Sequence, residues 1–157
     1  MESGALIELH AHILPQMDDG SESVEMSLAM LQALAGMGVG TVCATSHYYA
    51  RENSITMYLA RRAAALNALH SAIPAGSSLP HILPAAGAAY FRGMEEHHPE
   101  RLCIENTRTL MLEMPFSEWT DQQVETVAVL SLDLHFNVVL VHPERFCFSS
   151  SNRRRLE

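Results

Sequence analysis

Two histidines and two aspartates crowd the twelve residues from Leu9 to Gly20, LHAHILPQMDDG, in a chain of 157 residues. Imidazole and carboxylate groups are ligands for divalent cations. Alternate side chains of a strand share a face, so His10 and His12 are spaced to meet one ion. Asp19 follows in an Asp18-Asp19-Gly20 run that, taken alone, reads as a turn. Farther along, His47 follows VGTVCAT, Glu113 sits in TLMLEMP, and His142 follows NVVLV. Each has an ordinary reading in isolation: a solvated strand end, a loop histidine, a buried paired carboxylate, a strand terminator. Together they form a mixed His/Asp/Glu set without thiolate, suited to manganese, iron or zinc in a multinuclear hydrolytic site.

Such a set needs a scaffold that brings distant positions together. The apolar patterns predict strands at Ala5–Leu9, Val39–Thr45, Ile82–Ala86, Thr109–Met114 and Asn137–Val141. Ser23 is a predicted N-cap for a helix carrying Val24, Leu28, Leu31 and Leu34, which Gly36 and Gly38 stop. Leu59, Ala63, Leu66, Leu69 and Ile73 mark a second helix, closed by Pro74 and Gly76. Thr120 and Gln123 form a capping box for a third, with Val124, Val127, Leu130 and Leu134 on its apolar side. Residues 91–107 show no period and read as loop with a short helix. The alternation β-α-β-α-β-(irregular)-β-α-β implies parallel strands with right-handed crossovers. Parallel barrels carry their sites at the C-terminal rim, so four strands are expected to deliver the polar residues to one edge.

The whole chain narrows the field further. Its length suits one domain and falls short of a full eight-unit barrel, which takes about 250 residues. Eighteen acidic residues against ten basic ones give a net charge of −8, which argues against a nucleic-acid partner. No apolar run reaches membrane-spanning length and no signal-peptide pattern opens the chain, so a cytoplasmic location without membrane insertion is expected. Cys43, Cys103 and Cys147 are odd in number and widely spaced, and read as free thiols. The 48% apolar content with 6% aromatics suits an alanine- and methionine-rich helical shell, and Met26, Met30 and Met37 read as core packing.

The stretches HAHILPQMDDG, TSHYY, LMLEMPF and VLVHPERF, in that order along nearly the whole chain, resemble successive motifs of one family. It is the metal-dependent protein-tyrosine phosphatases of bacterial capsule and exopolysaccharide clusters, within the polymerase and histidinol phosphatase (PHP) superfamily. The resemblance implies an α/β fold of parallel βα units, forming an incomplete PHP-type distorted (β/α)7 barrel that holds up to three metals, often manganese. By that resemblance His10 and His12 match first-metal ligands, Glu113 and His142 second-metal ligands, and Asp19 and His47 third-metal ligands. Arg145, in HPER, matches an arginine that holds the substrate phosphate. Protein phosphotyrosine is the implied substrate, and a bacterial tyrosine kinase the implied partner.

Two departures qualify this expectation. Where the family carries a metal-bridging glutamate in a G-A-E stretch, this chain reads AAGAAYF and has Ala89. The family also continues to a late D-x-H motif, so residues 1–157 are expected to be a single PHP-like phosphatase domain truncated at its C-terminus. Counted by motif, each metal keeps two ligands, which predicts weak, substoichiometric metal binding and little activity. Missing barrel units would also leave edge strands uncovered and favour self-association. The rival expectations are a non-catalytic, partly metallated binding module and a small-molecule phosphatase of the histidinol-phosphate type. Cys147 to Arg153, CFSSSNR, has the C-x5-R spacing of cysteine-dependent tyrosine phosphatases but lacks the glycines that shape such a phosphate loop. His70, His81, His97 and His98 are expected outside the site.

Overall fold

A computed structural model describes residues 6–156, so Ala5, the first residue of the first predicted strand, lies outside it. It is mixed α/β with parallel strands, and the chain divides into two compact units between Ala86 and Gly87.

The first unit contains β1 (Leu6–Ala11), α1 (Val24–Gly36), β2 (Val39–Ala44), the two-residue β3 (His47–Tyr48), α2 (Ile55–Ala72) and β4 (His81–Pro84). β2 pairs in parallel with β1 on one side and β4 on the other. Both helices start at serine caps: the Ser23 hydroxyl accepts from Met26 N at 3.2 Å, and Ser54 from Met57 N at 3.3 Å. Such a cap contributes about 1 kcal/mol. Gly38, at φ 83°, takes the left-handed conformation that lets the chain leave α1 and enter β2. Leu31, Tyr58 and Leu69 are the apolar helix residues seated in a core with Ile13, Leu14 and Val42. Met26 and Met37, expected as core, are exposed, because the buried side of α1 is taken by Ser27 and Leu31.

The second unit contains β5 (Gly87–Ala89), two 3-10 turns (Met94–Glu96 and Pro99–Leu102), β6 (Thr109–Glu113), α3 (Asp121–Ala128), β7 (Asn137–Leu140), α4 (Pro143–Phe146) and α5 (Ser150–Leu156). β6 lies between β5 and β7, parallel to both. The capping box of Thr120 and Gln123 opens α3 as the sequence predicts. The predicted helix does not continue regularly to Leu134: Val129–Asp133 widens into a π-helical turn that keeps Leu130 buried and leaves Leu132 exposed. Leu110, Leu112, Leu130 and Phe146 form the core, with Trp119 packed on Phe146 at 4.8 Å between ring centroids. Fully buried Asn152 accepts from Trp119 N and donates to the carbonyls of Ser117 and Phe146, so its polar atoms are paired.

Candidate metal centre

The register of β1 and β2 explains how the histidines that follow them in the chain meet. Ala11 pairs with Ala44 at the ends of two parallel strands, so the residues that follow each strand leave from the same edge. Thr45 N donates to Ala11 O at 2.9 Å and extends that pairing. His12 follows β1, and His47 lies three residues past β2. Their rings meet with centroids 4.5 Å apart, and His10 lies edge-on to His12 at 5.1 Å. Tyr58, buried in α2, donates its hydroxyl hydrogen to Ser46 O at 2.8 Å and anchors the segment before His47.

The loop between β1 and α1 folds back over this edge. Ser21 N donates to His12 O at 3.0 Å, and Gln16 N to Ser21 O at 2.8 Å. Asp19 is thereby carried to the histidines, with Oδ1 3.6 Å from His47 Nε2. One donor atom from each of His12, Asp19 and His47 falls within 4.8 Å of the others. Two imidazoles and an exposed carboxylate at that spacing fit a borderline divalent cation. The grouping differs from the motif matching, which paired His12 with His10: His12 stands with Asp19 and His47 in a set of three. Three protein ligands are enough for an open metal site, one more than the motif count gave.

Two residues that the sequence did not single out hold these histidines. Thr45 is fully buried, and its Oγ1 lies 3.0 Å from His10 Nδ1 and 3.4 Å from Ala11 O. Asp18 Oδ2 lies 2.8 Å from His12 Nδ1 and accepts from the backbone N–H of His47 at 2.7 Å, while Oδ1 accepts from Gly20 N at 3.0 Å. Burial pushes the Asp18 carboxyl up, but the hydrogen bonds of His12, His47 and Gly20, with the charge of His12, outweigh it and hold the group below its ordinary value. The only sequence signal for Asp18 was the Asp-Asp doublet itself.

In the second unit, Glu113 closes β6 and is buried. Val141 N donates to Leu112 O at 3.0 Å, carrying the pairing past β7 so that His142 leaves the sheet beside the end of β6. His142 adopts φ 56° and starts α4, with Nδ1 3.4 Å from Glu144 Oε1. The short helix returns Arg145 toward the strand ends, its Nη1 3.5 Å from Glu113 Oε1. Its guanidinium also lies 5.2 Å from the centre of the Phe116 ring, and its side chain is half-exposed. Ala89 is the register partner of Glu113 on β5, so the position matched to a bridging carboxylate carries only a methyl group there. His70, His81, His97 and His98 are exposed, and His97 Nδ1 is bonded to Gly93 O at 2.7 Å. All three cysteines are free thiols, and burial pushes Cys103 up to about 11.

Fold and site together define an α/β protein whose parallel strand ends present histidine and carboxylate side chains. The family described as "Capsular polysaccharide synthesis, CpsB/CapC" matches residues 6–156, and the chain belongs to it. The chain is 28% identical over 142 residues to tyrosine-protein phosphatase YwqE of Bacillus subtilis strain 168, covering 89% of this chain and 55% of that protein. It also resembles, with a TM-score of 0.76 and 26% identity, a solved structure from work on YwqE of Bacillus subtilis and CpsB of Streptococcus pneumoniae, described as unique metal-dependent tyrosine phosphatases. That match covers 95% of this chain and 58% of the solved one, so the chain spans little more than half the length of the relatives it matches.

Proposed function

We propose that this chain carries out metal-dependent hydrolysis of protein phosphotyrosine in the regulation of capsule or exopolysaccharide synthesis. The observation that carries this reading is the set of His12, Asp19 and His47 at the strand ends, in a chain of the CpsB/CapC family. His10 in the first unit, and Glu113 and His142 in the second, are the other proposed ligands, with manganese as the leading cation and iron or zinc as substitutes; the proposed fold is an incomplete PHP-type (β/α)7 barrel. What such cations supply when bound is Lewis-acid polarisation of water and of phosphoryl oxygens.

The chain's own residues bind and orient. Asp19 and the imidazoles set where positive charge is concentrated. Arg145 offers a planar fork of N–H donors that matches two phosphoryl oxygens, and Phe116, Glu113 and Glu144 hold it in place. The proposed location is the cytoplasm; no helix among the described residues is long and apolar enough to cross a membrane. A bacterial tyrosine kinase is the proposed partner. Exposed Leu6, Ile7 and Leu9 on the outer strand β1 support self-association through that edge.

The test is turnover of a phosphotyrosine peptide by the purified chain with manganese, with a chelator, and as Arg145→Ala. Slow, chelator-sensitive turnover is expected, falling roughly 100-fold in Arg145→Ala while bound manganese is unchanged. Turnover indifferent to the chelator would refute metal dependence. Loss of manganese in Arg145→Ala would give the arginine a structural role instead of phosphate binding.

A further inference from the structure

We propose that Asp18 is the positioning residue of the first unit's metal site: one of its carboxylate oxygens fixes both the tautomer of His12 and the place of His47. The proposal rests on the metal reading above and assigns the two aspartates of the Asp-Asp-Gly run different work.

The division follows from where their oxygens go. Asp19 is exposed, with its carboxylate facing His47 Nε2, as a ligand requires. The Asp18 side chain is 5% exposed, and both its oxygens are engaged by donors from this chain. The N–H groups of His47 and Gly20 can only donate, so Oδ2 and Oδ1 act as acceptors. Facing that acceptor at 2.8 Å, His12 Nδ1 must carry the ring proton, which makes Nε2 the ring's ligating atom. A carboxylate behind a ligating imidazole fixes ring orientation and raises ligand basicity.

The same oxygen does a second job. Oδ2 receives His12 from the end of β1 and the His47 backbone from beyond β2. Two of the three candidate ligands, delivered by different strands, are therefore indexed to one atom. Moving Asp18 moves both, so its loss should loosen the site as a whole and not one ligand alone. The closed loop, with Ser21 N on His12 O, keeps Asp18 from following solvent outward.

The experiment compares the full chain with Asp18→Ala and Asp18→Asn. Ring-nitrogen NMR on histidine-labelled protein reads the His12 tautomer, assigned through His12→Gln, and calorimetric titration with zinc or manganese reads affinity. Wild type is expected to show His12 protonated at Nδ1 and to bind the cation. Asp18→Ala should give mixed His12 tautomers and roughly 10- to 100-fold weaker binding. Asp18→Asn keeps one carbonyl acceptor, so it should preserve the tautomer and lose less affinity. It also serves as the test if Asp18→Ala does not fold, since near-complete loss of the Nδ1-protonated form in a folded Asp18→Asn would overturn the proposal. Wild-type tautomer and affinity in folded Asp18→Ala would overturn it as well while leaving the metal reading intact. Failure of the metal reading shows elsewhere: wild type itself would take up no cation, which would overturn both.

Discussion

Gly20→Ala is expected to lower both the stability of the chain and its affinity for divalent cations. A methyl group at Gly20 would overlap two atoms of His12, its Cβ and its carbonyl oxygen, and would also press on Asp18 Oδ1. Neither His12 atom is the tip of a flexible side chain, so relief requires the loop or the end of β1 to move. Overpacking of this kind costs about 3 kcal/mol at the upper end of its usual range. The displacement falls on His12 and on the Asp18 and Asp19 that flank the contact, so cation affinity should fall with stability. Gly36→Ala makes the contrast: an added methyl at Gly36 meets nothing within 4 Å, and α1 accepts alanine readily. That variant should be neutral or more stable by roughly 0.5–1 kcal/mol. Chemical denaturation and cation titration of both variants measure the difference. A Gly20→Ala protein with wild-type stability and affinity would mean that the close approach of this loop to His12 does not matter.

Ala89→Glu is expected to make the protein less stable without cations and more responsive to them. Ala89 and Glu113 are register partners on parallel β5 and β6, whose backbones lie about 4.8 Å apart. A second carboxylate on that neighbouring position faces buried Glu113, and like charges directly across a sheet destabilise it. Arg145 relieves part of the repulsion, since it already lies 3.5 Å from Glu113. A divalent cation relieves the rest, because two carboxylates and His142 make a plausible ligand set where Glu113 and His142 alone are sparse. Binding linked to folding adds about 2.7 kcal/mol when the cation is at a hundred times its dissociation constant. The melting temperature of Ala89→Glu should therefore start below wild type in chelator and gain more on adding manganese. Equal gains in both proteins would show that position 89 does not serve a metal.

Much of this architecture was legible because it is written locally. Ser23 and the Thr120/Gln123 box cap helices through contacts three residues away, and a strand such as NVVLV announces itself by composition. His10, His12, His47, Glu113 and His142 could be picked out as candidates because they stand at or within three residues of a strand end, whereas Asp19 lies on a loop and offered only its place in the Asp-Asp-Gly run. What was missed depends on distant partners or on backbone choices that composition does not force. β3 and β5 are two and three residues long and carry no period of their own. α4 and α5 follow a left-handed turn at His142, a backbone choice that composition does not announce for a non-glycine residue. Met26 and Met37 have helical spacing, but which face of α1 is buried is decided by packing and not by the period. Asp18 is the instructive case at the site. Its sequence neighbour Asp19 is chemically identical, and only the fold, which gives Asp18 three donors and leaves Asp19 exposed, separates a positioning residue from a ligand.

The central claim, that His12, Asp19 and His47 hold a divalent cation, is tested most directly by anomalous diffraction from crystals of this chain grown with manganese. The account predicts a peak among the three side chains, roughly 2.2 Å from an imidazole nitrogen of each histidine and from an Asp19 oxygen, with Asp18 behind His12 and outside the coordination shell. A manganese-containing crystal with no peak at these residues, or with Asp18 bound in place of Asp19, would contradict it.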